Sequence, residues 1–303
     1  MIVDMPSTTS SKIGKRLNEL RETGGVVALG RVLTLVIETD AKGVEPAIQA
    51  ANGASRLHPS RIIVLTNAEG NGESRLDAEI RVGGDAGASE VVILNAYGAA
   101  SSNPESLVTG LLLSDAPVVA WWPSSCAANP AKSAIGKIAS RRITDSACQA
   151  DPSAFLRELA TNYTPGDGDM AWTRITLWRS QLAALYEQHK HRKVSSIEVL
   201  GSAHSPSAEL LAHWLELRLQ APSAITTELE GADIEGIVGV RIQFQDGHLE
   251  IIRADEVANI KQTGFPDSSV LLPKRSDQDC LIEDMRFLGE DEIYGEVLMG
   301  GLR

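Results

Sequence analysis

The chain has 303 residues, 43% of them apolar and 22% charged, and carries a net charge of −12. That length suits two domains, each able to bury a core without staples. The acidic balance excludes nucleic acid as a main partner, because phosphate binding needs a basic footprint, and it disfavours an anionic membrane surface; it suits pairing with a basic protein surface.

Cys126, Cys148 and Cys280 stand in neither C-x-x-C nor zinc spacing. They predict a reducing cytosol without a disulfide framework or structural zinc, each thiol read as a small core residue. The first twenty residues lack the apolar run of a signal peptide, and no later run reaches the length of a membrane span. The protein is therefore expected in the cytoplasm.

In chain order, Ser10 and Ser11 cap a first helix whose Ile13, Leu17 and Leu20 share one face, ended by Gly24-Gly25. Residues 26–38 read as strand, 44–54 as helix, and 61–68, 76–84 and 88–98 as strands. Asn103-Pro104-Glu105 has the cap, first-turn proline and acid of a helix start, with helix expected through Leu113. Residues 116–123 read as strand and 130–147 as helix. Strands separated by helical stretches predict an α/β domain over residues 1–150, with a largely parallel sheet and flanking helices.

Residues 155–160 read as helix and 164–169 as a loop. Asp169 caps a helix running to His189-Lys190-His191-Arg192-Lys193, read as a solvated helix end. A strand at 195–201, a helix opened by Ser205-Pro206, and strands from Ile225 onward complete a second α/β domain, 151–303. Its sheet is mixed, with a β-hairpin turning at Gln245-Asp246-Gly247. Its acidic tail is helical in part.

Catalytic signatures are sparse. Gly70-Asn71-Gly72 begins a G-x-G, but Arg75 stands where a dinucleotide fingerprint needs its third glycine. The six histidines offer no chelating pair at helical spacing, so neither metal nor cofactor is expected. Ser202, His204 and Ser205 lie between a strand and a helix N-terminus, where free N–H groups suit a small anion or a nucleophile site, although capping alone explains these residue types.

Two tryptophan-rich blocks stand out. Trp121-Trp122-Pro123 ends a strand, and carboxyl ends of strands are where open α/β sheets bind ligands. Alternation allows one ring in the core and the other exposed. Residues 172–179 read W-T-R-I-T-L-W-R. At about 100° per residue, Trp172, Ile175, Trp178, Leu182, Leu185 and Tyr186 share a face, with Leu177 pointing away. Arg179 falls inside that face, able to stack on an indole, and Arg174 lies at its edge. Both blocks suit either a core or a partner-binding surface. Lys132, Lys137, Arg141 and Arg142 lie at helical spacing, as a solvated face or a phosphate site.

These two blocks, with residues 24–38, 54–65 and 207–219, resemble the OpcA family of glucose-6-phosphate dehydrogenase assembly proteins, in its actinobacterial form. The resemblance covers most of the chain, least at the N-terminus and the acidic tail. It implies a non-catalytic allosteric activator that binds glucose-6-phosphate dehydrogenase and favours its active oligomer, in the oxidative pentose phosphate pathway that supplies NADPH. Trp172, Arg174, Trp178 and Arg179, then Trp121 and Trp122, are the candidate partner-binding residues. The alternative is a sugar-phosphate or nucleotide-binding sensor or enzyme using the carboxyl ends of the N-terminal strands. Redox control through cysteine pairs, associated with cyanobacterial relatives, does not carry over to cysteines so far apart in the chain.

Overall fold

The computed structural model describes residues 1–23, 31–67, 73–83, 90–202, 204–227 and 236–301. The Gly24-Gly25 stop, the beginning of the expected strand at 26–38, the Gly70-Asn71-Gly72 turn and residues 228–230 lie outside them. In chain order the first elements are β1 (Ile2–Met5), α1 (Ser10–Thr23), β2 (Leu33–Thr39), α2 (Val44–Ala54), β3 (Ser60–Asn67), β4 (Arg75–Arg81) and β5 (Glu90–Tyr97). After these come α3 (Pro104–Thr109), β6 (Val118–Trp121), β7 (Arg141–Thr144), α4 (Pro152–Asn162), β8 (Asp167–Asp169), α5 (Met170–Arg174) and α6 (Thr176–Glu187). The remainder comprises β9 (Val194–Gly201), α7 (Pro206–Leu219), β10 (Ser223–Thr226), β11 (Ile237–Phe244), β12 (Gly247–Ala254), β13 (Val257–Gln262), β14 (Ser268–Leu271), α8 (Asp277–Arg286) and α9 (Glu292–Gly301).

The residues fall into two compact units. One is Met1–Asp145 with Thr164–Gly168 and Asp277–Glu290; the other is Ser146–Tyr163 with Asp169–Ser276 and Asp291–Arg303.

The first unit is built on the sheet β1-β4-β5-β3-β2-β6-β7-β8. Its centre is parallel, with Val36 beside Ile63 and Ile63 beside Val92; β4 runs antiparallel to β5 and β1 antiparallel to β4. The central strands are apolar almost without alternation, and Leu33 to Ile37 are all buried. Continuous burial is what a parallel strand covered on both faces requires. On one face Val36, Ile63 and Val92 pack with Ile13 and Leu17 of α1. The α2–α8 contact is close at Gly53, where an added Cβ would fall 1.8 Å from Gln278 Oε1.

Residues 130–147 depart from the helix their cation spacing suggested. They form a 3₁₀ turn at Pro130–Lys132, the strand β7 and a second 3₁₀ turn at Ser146–Cys148. A Cβ on Gly136 would sit 1.7 Å from the Pro130 carbonyl oxygen, so the chain doubles back here in a curl only glycine fits. Lys132 and Lys137 are exposed, whereas Arg141 and Arg142 are buried, so the four make no single helical face. The loop expected at 164–169 supplies β8, with Gly166 at φ +92° leading into it. Of the cysteines, Cys280 is buried as expected, Cys126 is half-buried and Cys148 is exposed.

The second unit carries the sheet β10-β9-β11-β12-β13-β14, parallel only between β10 and β9. The expected hairpin is β11–β12, closed where Phe244 faces Gly247 across Gln245-Asp246. Leu249 and Ile251 of β12 are buried while His248 is exposed, the alternation of a sheet with one covered face. Helix α7 packs against β9 and β10 and buries Leu210, Leu211 and Leu215. It ends at Gln220, in the left-handed conformation at φ 51°.

Candidate functional site

Asp169 begins the tryptophan block as its sequence suggests. The carboxylate accepts from the Ala171 N–H at 2.8 Å, capping α5, and also from the Ser146 N–H at 3.0 Å. The helix is not continuous: Ile175, at φ −92° and ψ 6°, separates α5 from α6. Trp172, Ile175, Trp178, Leu182 and Leu185 are nonetheless all buried, and Leu177 is 36% exposed on the opposite side. Trp172 donates from Nε1 to Asp291 Oδ2 at 2.8 Å and packs 5.8 Å from the Tyr294 ring. The Arg179 guanidinium lies 3.7 Å from the centroid of Trp172, close enough to stack flat on it. The two arginines keep part of their surface; the two indoles, 2% and 3% exposed, do not.

Trp121 and Trp122 are also both buried, where alternation allowed one to be exposed. Trp122 joins the core with Val36 and Leu17, and its Nε1 donates to Glu38 Oε2 at 2.6 Å. Burial pushes the Glu38 carboxyl above its ordinary range, an effect this bond partly offsets.

The HKHRK segment differs from its reading as a solvated helix end. Helix α6 stops at Glu187, and His189 is fully buried. Its ring lies 5.1 Å from Phe244 and 5.2 Å from Phe265, with Nε2 2.9 Å from Gln262 Oε1.

A cleft of about 490 Å³ opens in the second unit, where the anion-site residues of the sequence meet the tryptophan block. One wall is the start of α7. Ser205 caps it, accepting from the Ala208 N–H at 3.3 Å, and Ser202 Oγ accepts from the His204 N–H at 3.4 Å. Ser207 Oγ donates to the Ala171 carbonyl at 2.9 Å and so ties α7 to α5. Arg174, Ile175 and Trp178 supply a second wall. The rest comes from segments that sequence reasoning missed, with Ile237 from β11, Arg253 from β12, and Lys274-Arg275 after β14. Arg275 is steered by donating from Nη1 to the Thr173 carbonyl at 2.6 Å. Arg253 donates from Nη2 to the Ile237 carbonyl at 2.6 Å and lies 5.3 Å from the Trp178 ring. Burial pulls the Arg253 guanidinium below its ordinary pKa, although an arginine stays charged at neutral pH. Residues 174, 253 and 275 are far apart in the chain, and no local pattern announces their meeting. Ser202, His204 and Ser205, and Arg174 and Trp178 of the tryptophan block, were the legible signals.

Among the described residues, no group of three or more His, Cys, Asp or Glu side chains is placed to hold a metal ion, and no helix is long and apolar enough to cross a membrane.

Comparison with known proteins is informative at the family level. No curated protein matches the chain. Among solved structures it is similar to an oxidoreductase from Sinorhizobium meliloti, at 10% identity over 84% of this chain and 88% of that one, with a TM-score of 0.48. It is also similar to an NAD binding oxidoreductase from Klebsiella pneumoniae, at 9% identity over 90% and 95%, with a TM-score of 0.48. Likeness this distant carries no argument about chemistry. Residues 51–161 match the family model of the glucose-6-phosphate dehydrogenase subunit N-terminal domain, and residues 165–298 match that of the corresponding C-terminal domain. With both of its domains matched in order and together spanning most of the sequence, the chain belongs to the OpcA family of glucose-6-phosphate dehydrogenase assembly proteins.

Proposed function

We propose that the protein is a non-catalytic partner that binds glucose-6-phosphate dehydrogenase and favours its active oligomer. The observation that carries this reading is the pair of family matches, one on each half of the chain, both described as glucose-6-phosphate dehydrogenase subunit domains. The acidic balance of −12 supports association with a basic surface.

The mechanism is a population shift. A binding protein moves an equilibrium between two forms of its partner only by its difference in affinity for them. Tenfold activation at saturation needs about 1.4 kcal/mol of such coupling, within the reach of one well-placed arginine or aromatic anchor. Of the six residues nominated from the sequence, Arg174 is the one we assign to the contact, because it keeps exposed surface beside the cleft. The buried tryptophans act through it, fixing the helical pair α5–α6 on which it is carried, and Arg179 is held against Trp172.

The test is a titration of this protein into the purified cognate dehydrogenase, following NADPH production and complex mass together. A saturable rise in rate with a co-migrating complex is expected. No complex and no rate change, with both proteins folded, would remove the assignment.

A further inference from the structure

We propose that the open face of the second unit's sheet binds a second copy of this chain, face to face, about a two-fold axis running along the strands between β11 and β12. The proposal goes beyond the dehydrogenase-partner reading and does not depend on it.

One face of the sheet β10-β9-β11-β12-β13-β14 is covered, and Val199, Val240, Ile251 and Ile260 are buried there. Their neighbours along each strand point the other way. On that other face Arg241, Asn259 and Lys261 are exposed. Val257 and Leu271, opposite one another on β13 and β14, add apolar surface that is 44% and 66% exposed. Four charges cross the middle of this face in one row. Glu198 on β9 stands opposite Arg241 on β11, Arg241 opposite Glu250 on β12, and Glu250 opposite Lys261 on β13. The order is minus, plus, minus, plus. Arg241 is fixed in the row by both neighbours, at 3.1 Å from Glu198 and 2.6 Å from Glu250.

Such a row is complementary to its own reverse. A two-fold axis along the strands, at the midpoint of the row, reverses its order. Glu198 then meets Lys261 of the second copy, and Arg241 meets Glu250 of the second copy. An axis across the strands would instead set like charges against each other, which is strongly unfavourable. The midpoint of the row is also the midpoint of the six-stranded sheet, with three strands on either side, so the contact uses the whole face. Ile252 leans from β12 over Gly239 of β11, where an added Cβ would lie 2.5 Å from Ile252 Cδ1. That places it on the axis, where the Ile252 side chains of the two copies meet and give the contact an apolar centre. With strands about 4.8 Å apart and a rise of about 3.4 Å per residue, the face covers roughly 600 Å² in projection. A standard interface buries about 800 Å² of accessible surface per partner. Packed sheets keep their strands within about 30° of each other, which displaces β9 from the facing β13 by about 4 Å, within reach of glutamate and lysine side chains.

The experiment is sedimentation equilibrium of the full chain alone in about 0.15 M salt, where a Debye length of about 8 Å screens the mutual repulsion of two acidic chains. A reversible equilibrium is expected between 32.4 kDa and twice that mass. Lys261→Glu and Glu198→Lys each set like charges together at both ends of the row and should weaken the dimer at least about tenfold. An equal mixture of the two variants should restore it, because the mixed dimer again pairs opposite charges at both places. Mixing cannot repair a folding defect, so restoration assigns the loss to the contact. Should Glu198→Lys fail to fold, Glu198→Gln takes its place, with partial restoration expected. A chain that stays at 32.4 kDa up to its solubility limit would overturn the proposal. So would a dimer that Lys261→Glu leaves intact, folded variants that do not restore each other, or a Lys261→Glu effect confined to the dehydrogenase complex.

Discussion

The buried arginines of the first unit and Arg253 on the cleft wall of the second are held by different kinds of group. In the first unit the guanidiniums face carboxylates. Glu90, 1% exposed, accepts from Arg21 at 2.9 Å and Arg61 at 2.7 Å, with Arg31 at 3.8 Å. Arg142 pairs with Asp167, and Arg141 with Asp284 at 2.5 Å. The pairing is close enough at Gly168 that an added Cβ would fall 2.5 Å from Arg141 Nη2. In the second unit Arg179 lies on Trp172, Arg253 is held by the Ile237 carbonyl near Trp178, and Arg275 donates to the Thr173 carbonyl. Carbonyls and rings orient a guanidinium without cancelling its charge. An ion pair in the core uses its charge up inside the fold, whereas Arg253 is oriented by a carbonyl and an indole, with no carboxylate against it among the described residues.

The sharpest way to break this comparison is to remove the shared carboxylate. Glu90→Ala would leave Arg61 buried and three cations close together, and should destabilise the first unit by about 3–5 kcal/mol in chemical denaturation. A loss under 1 kcal/mol would mean that the cluster is not a buried ionic centre.

Acid should expose the same asymmetry. Burial alone would raise the Glu90 pKa, but the three guanidiniums outweigh it and hold the carboxyl below its ordinary 4.5. A carboxyl depressed in the folded state contributes stability above its unfolded value, and that contribution is lost as pH falls through the folded one. Unfolding followed between pH 6 and 3 should show a steep loss below about 4.5 that Glu90→Ala flattens. Parallel curves for the two proteins would contradict the assignment.

A smaller effect is expected in the second unit. Trp172→Phe keeps a ring under Arg179 but deletes the bond to Asp291, which also caps α9 through the Tyr294 N–H at 2.9 Å. The expected cost is about 1.5–3 kcal/mol of stability, the scale of one hydrogen bond to a charged group. A change near zero would show the indole bond to be dispensable.

Arg174→Ala should cost least, within about 0.5 kcal/mol in thermal unfolding, as for other partly exposed positions. It should nonetheless weaken the dehydrogenase complex about tenfold, a 1.4 kcal/mol effect, in a binding titration. Parallel loss of stability and binding would assign the residue to the core.

Much of the fold was legible because its signals are local. The face of α1, the caps at Asn103, Asp169 and Ser205, and the hairpin at Gln245-Asp246 each depend on residues a few positions apart. Where local signals competed with distant ones, the distant ones prevailed. The cations of 130–147 lie at helical spacing, yet Arg141 and Arg142 belong to a strand because Asp284 and Asp167 reach them from 143 and 25 residues away. His189 sits in a basic run that suggests solvent, yet two phenylalanines far along the chain enclose it.

By itself, then, the sequence determined the class of each unit, most of its apolar core, and the family. Periodicity, turn chemistry and a few specific blocks are properties of contiguous residues. Only the tertiary structure decided which arginines are neutralised and which face a cavity, because a side chain's electrostatic environment is set by neighbours from other segments. Arg253 and Arg142 are the same residue type, each within a strand. One is met by a carboxylate and the other by a carbonyl and an indole, and nothing within several residues of either in the chain distinguishes them.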